Sequence, residues 1–238
     1  MSAVAVVAAA TATRTATSLE PRTVPVPEQL AALLPWGGLR RGSVVAVHGS
    51  TSLLLALLST ASAAGSWTAV VGRPDVGLLA AAEAGIAVER LALVPRPGAH
   101  LAAVTAALLD GVELVAVAGV ERLSAAEARR LTGRTRHRGA VLLPLGDWPG
   151  ADVRLHGERI EWDGLGSGHG RLRSMRLTVR VAGRGAAARP RTADVALVGA
   201  PAVATAAVPD AVPDVVPDAV PDAVPGAVRD ARALRIAG

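Results

Sequence analysis

The residues best placed to do chemistry stand in the run VVAVHGSTSLLLALLS. There an apolar stretch ends at Gly49 and three hydroxyl residues follow, Ser50, Thr51 and Ser52. A glycine turn that opens a helix is where α/β proteins gather phosphates, because the first amides of the helix are free to donate there. Phosphoryl transfer asks for more: a Lys that reaches the β- and γ-phosphates and an acid on a neighbouring strand that holds Mg²⁺. All 25 cationic residues of the chain are Arg, and VELVAVAG carries Ala118 where the acid would stand. The turn therefore reads first as a tight strand–helix connection capped by Ser or Thr. The second reading is a degenerate nucleotide site made of Gly49, Ser50, Thr51 and Ser52. ATP hydrolysis is not expected of it.

A second concentration of chemistry lies between Gly164 and Ala193, which holds seven Arg and no acid. Within it Arg171, Arg173, Arg176, Arg180 and Arg184 fall in RLRSMRLTVRVAGR, a segment that alternates like a strand. Several on one face would bind phosphate backbones or an acidic partner. The competing reading is a solvated edge strand whose Arg side chains oppose aggregation. None of the four Trp lies inside the segment, so base stacking is not signalled. Further on, Pro209, Pro213, Pro217, Pro221 and Pro225 recur every fourth residue in a VPDA/VPDV repeat. That spacing forbids helix and sheet and predicts an extended spacer. The basic end beyond it, with Arg229, Arg232, Leu234, Arg235 and Ile236, reads as a partner-docking peptide or as a frayed terminus.

Composition removes other chemistries. The chain has 238 residues, a formal charge of +5 and no Cys. Disulfides, thiolate metal sites and cysteine nucleophiles are thereby excluded. His48, His100, His137, His156 and His169 show no metal-ligand spacing, so no metal or other cofactor is expected. His156 and Glu158 are neighbours at an expected hairpin turn and do not read as a catalytic dyad. GLGSGHG is no nucleophile elbow and reads as a linker. The apolar run Ala3 to Ala10 is too short to span a bilayer. A soluble, cytoplasmic protein is expected, without membrane contact.

These residues need elements to hold them. Residues 1–27 read as a disordered leader and residues 201–238 as the tether with its basic end. The segment 28–200 reads as one α/β domain. Its strands are expected at Ser43–Val47, Trp67–Val71, Leu91–Val94, Val112–Val117 and Ala140–Leu145. The intervening helices are expected at Leu53–Ala64, from Pro74 to about Ala84, at Gly98–Leu109, and after Ser124, where Glu127 completes a capping box. Strands alternating with helices predict a mostly parallel, doubly wound sheet. After Trp148 two alternating segments predict an antiparallel extension, with the first turning at Gly157. Trp148 and Trp162 are expected to cover the core edge, and Trp36 the junction of the leader with the first strand.

The run LPWGGLRRGSVVAVHG, with Gly37, Gly38, Arg41 and Gly42, resembles the entry to the core of RecA-like recombinases. AGIAVERLALVPRP and the order of the elements extend the likeness from Leu34 to Arg184. GDWPGAD, however, is too short for the mobile DNA-binding loop of a true recombinase. The missing Lys and acid make the chain most similar to the ImuA-type branch, in its divergent actinobacterial form. That resemblance implies a RecA-like, non-catalytic accessory protein induced by DNA damage, acting in mutagenic translesion synthesis. It implies partnership with a polymerase-like scaffold protein and an error-prone DNA polymerase, contact with the scaffold through the C-terminal region, and nucleoid association when DNA is damaged. Direct DNA contact and a homo-oligomer stay open. Two rivals remain: a cell-division regulator of the SOS type with a related fold, and a RecA-like ATPase with an unorthodox site.

Overall fold

The computed structural model describes residues 22–165 and 170–197. Its centre is a sheet of short buried strands: β3 (Val45–His48), β4 (Thr68–Val71), β5 (Leu91–Val94), β6 (Leu114–Val117) and β7 (Val141–Pro144). Apart from His48 at the end of β3 and Thr68 at the start of β4, each is a run of apolar residues, as strands covered on both faces require. β5, β4, β6 and β7 pair in that order, all parallel. Parallel bridges Val44–Leu142 and Val47–Leu145 then join β7 to β3. On the far side β3 pairs in parallel with β8 (Val153–Leu165), which pairs antiparallel with β9 (Gly170–Gly183), and β9 with β10 (Arg191–Leu197). The first core strand thus lies inside the sheet, with the parallel strands on one side and the antiparallel extension on the other.

The period-two alternation of the strands separates two cores. Val45, Val47, Val70, Leu114, Ala116, Val141 and Leu143 face one side. Val44, Ala46, Ala69, Val71, Val115, Val117 and Leu142 face the other. The first side is covered by α1 (Glu28–Leu33), α2 (Thr51–Ala63) and α3 (Leu78–Glu83). The second is covered by α4 (Leu101–Leu108) and α5 (Ala125–Arg138), with Trp148 packed among their residues. Helices on both faces make this a doubly wound α/β sheet. The extension differs. β8, β9 and β10 send Leu155, Leu177, Val179, Val181 and Val195 into the first core, whereas the second core contains no residue of β9 or β10.

α2 is apolar around its whole circumference, with Leu53, Leu54, Leu55, Ala56, Leu57 and Leu58 all buried. Such a helix must be covered on every side; Val24, Val26, Leu30 and Leu33 belong to the same core, and α1 is tied to β10, where the Ala196 amide donates to Gln29 at 2.8 Å. This explains an ordered segment where the sequence suggests a leader. Thr23–Val24 form β1, pairing antiparallel with β2 (Leu39–Arg40), and Val24 is 1% exposed. Pro74 does not open a helix, since Arg73 and Asp75 use that turn for an ion pair and α3 begins at Leu78. Ser124 caps α5 with the full capping box to Glu127. β8 runs straight past Gly157 with a bulge between Gly157 and Arg159, so the hairpin forms between β8 and β9 instead. Trp148 is 2% exposed and donates from Nε1 to Thr132 at 3.0 Å, while Trp162 is 53% exposed and covers no core edge. Trp36 packs against the first core with the Arg40 guanidinium 5.6 Å from its ring. Among the described residues no helix is long and apolar enough to cross a membrane.

Leu57 is fully buried in the centre of α2. Leu57→Ala lowers unfolding free energy by about 2–5 kcal/mol, from lost transfer energy and a cavity that α2, held on all sides, cannot collapse into. Urea denaturation checks this through a lower midpoint at unchanged slope.

Candidate functional site

The turn between β3 and α2 is built by local rules. Gly49 adopts φ +85°, a conformation that side chains resist. Ser50 is extended and caps α2, its Oγ accepting from the Leu53 amide at 3.2 Å. Thr51 Oγ1 accepts from Arg73 Nη2 at 2.7 Å. Arg73 arrives from the loop after β4 and forks onto Asp75, with contacts of 2.8 and 2.6 Å. The Arg73 hydrogen bond holds the Asp75 carboxyl at about 2. Together with His48, Leu145 and Gly146 these residues line a cavity of about 360 Å³ at the carboxyl ends of the strands. Here Arg73 is the one cation beside the α2 amides, and the sequence reading missed it. Its only signal is its place directly after a core strand, in VVGRPD.

The turn is tightly hemmed. A Cβ on Gly49 would run into the carbonyl oxygen of Gly157, and one on Gly157 would lie 3.1 Å from the Ser50 Cβ. The β8 bulge therefore leans on the turn from the side. Next to it, His48 and His156 are register partners across β3 and β8, and their rings stack at 4.3 Å, 3° from parallel. His48 Nε2 is buried, has no hydrogen-bond partner, and lies 3.7 Å from Asp147. Burial pushes the His48 pKa down; His156 and Arg154 push the same way, against Asp147.

This arrangement holds no nucleophile–base pair. The Ser50 hydroxyl is used as a cap, the Thr51 hydroxyl is held by Arg73, and no His approaches either within hydrogen-bond distance. What remains is a helix N-terminus with one cation, which favours an anion. The Asp75 carboxylate already occupies the Arg73 fork, so an anion entering the cavity would have to compete with it. Among the described residues no group of three His, Asp or Glu could hold a metal ion.

Two further sets of sequence candidates take different places. On β9 the even positions Arg176 and Arg180 are exposed, between the buried Met175, Leu177, Val179 and Val181. Arg171 and Arg173 lie on β9, and their side chains fall outside the described ones. Arg184 lies just past β9, near Gly150. The tail candidates Arg229, Arg232, Leu234, Arg235 and Ile236, the Pro repeat and the GLGSGHG linker from Gly166 to His169 lie outside the described residues. Glu158 makes no hydrogen bond to His156, whose contact is the ring of His48.

Residues 32–150, which hold the parallel half of the sheet, match the family described as the MT3502 N-terminal domain. The chain is also similar to the uncharacterized protein Rv3395c of Mycobacterium tuberculosis. The two are 38% identical over 169 residues, covering 66% of this chain and 83% of that protein.

Two outcomes test the site. Gly49→Ala lowers stability by at least about 1–2 kcal/mol, from the left-handed backbone alone, and more as the Gly157 carbonyl gives way; thermal melting reads it. His48 has a folded pKa below the ordinary imidazole value of about 6.5, so the unfolded chain takes up its proton first as the pH falls. Stability contributed by neutral His48 is complete above that value and is lost below it. Denaturation midpoints across pH 5 to 8 fall toward the acid end, and His48→Gln flattens the fall.

Proposed function

We propose, for a chain that belongs to the MT3502 N-terminal domain family, a role as a non-catalytic RecA-like accessory protein of damage-induced translesion synthesis. In this reading it binds a polymerase-like scaffold and serves an error-prone DNA polymerase. It works by presenting surfaces rather than by turning over nucleotide.

The observation that carries the reading is an intact strand–helix succession around an unequipped turn. β3, α2, β4, α3, β5, α4, β6, α5 and β7 follow one another as the RecA-like likeness implies, and an antiparallel extension follows β7. The turn in that frame has no Lys, and the Ser50 and Thr51 hydroxyls are used within the fold. Ala118, just past β6, is 8% exposed, and its carbonyl lies where a Cβ on Gly72 would meet it at 2.8 Å. A metal-holding acid at that place would have to be buried against backbone. Phosphoryl transfer depends on charge placed around the phosphates, and this geometry favours a scaffold role over an enzymatic one.

The test is retention of the scaffold. Immobilised full-length protein retains a polymerase-like scaffold from the same organism, and deletion of residues 208–238 abolishes retention. Retention that survives the deletion overturns the C-terminal contact, and no retention by the full chain overturns the reading. Phosphate release at high protein concentration, with and without single-stranded DNA, stays at the buffer rate; turnover above it assigns an ATPase.

A further inference from the structure

The uncovered second face of the extension carries a row of cationic side chains. The parallel strands have α4 and α5 on that side, whereas β8, β9 and β10 turn polar residues outward there. On β9 these are Arg176, Thr178 and Arg180, and on β8 Arg154 and His156, with His156 opposite Arg180 and Arg154 opposite Ala182. Arg184 continues the line: a Cβ on Gly150 would lie 3.8 Å from its Nη1, in the loop that carries Trp148 into the second core. Thr132 of α5 receives the Trp148 indole hydrogen bond. Arg129 and Arg136 share its flank at helical spacing, and both are exposed. Trp148 and its loop thus join the α5 flank to the extension.

Partners for these cations are few. Arg154, Arg180, Arg184, Arg129 and Arg136 make no side-chain hydrogen bond or ion pair among the described residues. Arg176 reaches Glu161 only at 4.0 Å, with both side chains more than half exposed. Asp194, the other acid on the strand face, accepts from Thr178 at 2.7 Å, and Asp147 sits at the rim beside His48. Among the described side chains, six Arg thus face these three acids.

From this surface we infer that the second face of β8–β10, together with the α5 flank, binds the phosphate backbone of duplex DNA without reading sequence. The inference rests on the DNA-associated role proposed above and gives that role a surface. Three features select a nucleic-acid backbone over an acidic protein. Arg176 and Arg180 stand roughly 13 Å apart on one straight strand, and Arg184 extends the line, which suits a polymer whose charge repeats. The cations are guanidinium forks, matched to phosphate oxygens. The one aromatic ring described on this face, that of His156, is already stacked on His48, and Trp162 is in register with Met175 on the opposite face. Base stacking is therefore not offered, and phosphate contact is.

Fluorescence anisotropy of the full chain with a labelled duplex of scrambled sequence decides it. The wild-type protein binds at low salt, and log affinity falls linearly with log salt. The variant Arg154→Ser/Arg180→Ser/Arg184→Ser binds at least tenfold more weakly, and its slope is shallower by about 2 to 3, the value for three lost phosphate contacts. Arg96→Ser, on the loop after β5 at the other end of the sheet, stays within twofold of wild type. Asp194→Ser removes an acid from the proposed face and tightens binding two- to threefold; it decides the matter if the triple variant does not melt cooperatively. Unchanged affinity and slope in the triple variant overturn the inference. So does displacement of the duplex by polyglutamate at equal charge concentration, which would assign the face to an acidic protein. Scaffold retention by the triple variant is measured in parallel. Loss of DNA with retention intact locates the effect on this face, and failure of DNA binding with retention intact leaves the scaffold role standing.

Discussion

Burial of β3 on both faces is the constraint from which the rest follows. Val45 and Val47 must be covered on one side, Val44 and Ala46 on the other, and all four are 3% exposed or less. A strand inside the sheet also needs partners on both edges. It finds β7 through the Val44–Leu142 and Val47–Leu145 bridges, and β8 through four parallel pairs. Asp152 fixes the second edge, its Oδ2 accepting from the Val44 amide at 2.9 Å. α2, which leaves β3 directly, inherits the same burial, so the N-terminal segment has to fold over it. Net stability of a domain is small beside its opposing terms. Faults in this centre therefore act on the whole domain, whereas changes on the extension's outer face do not.

The chain provides its α-helices before β7, and among the described residues only a single 3-10 turn, Gly185–Ala187, follows it. That order decides the character of the two halves. Strands between helices are buried twice and stay apolar throughout. Strands beyond the last helix keep one dry face and must alternate, which puts a polar residue at every second position. In this chain Arg154, Arg176 and Arg180 hold three of those positions. The charged face of the extension is thus a direct result of topology in a sequence whose only strong cation is Arg.

The legible part of the fold was the part written in local rules. β5 and the capping box of Ser124 and Glu127 fall where the pattern places them, and the other parallel strands within one to three residues. The misread parts depended on distant partners. Pro74 looks like a helix start because Pro suits a first turn, yet the Arg73–Asp75 ion pair claims that loop. Gly157 looks like a turn because glycine usually marks one, yet it is where β8 passes beneath Ser50. Val24 and Val26 lie in a segment with no periodicity, and their order comes from the pairing of Val24 with Leu39 and from burial in the first core. At the candidate site, Gly49 and Ser50 were readable from the sequence. Arg73 and the His48–His156 stack were not, because strand order, not sequence distance, brings them together.

Gly49 carries the sharpest lesson about that site. Glycine in a first strand–helix turn suggests a phosphate cradle, since a backbone without Cβ lets a ligand approach. Here the same absence of Cβ is used by the protein itself. The carbonyl of Gly157 occupies the approach a side chain would need, and φ at Gly49 is +85°. Glycine is therefore required at this position whether or not any phosphate binds, and its presence is no evidence for a nucleotide. The cation at this turn, Arg73, is engaged by Asp75, and position 118 is an alanine. A turn can take the shape of a binding loop for packing reasons alone.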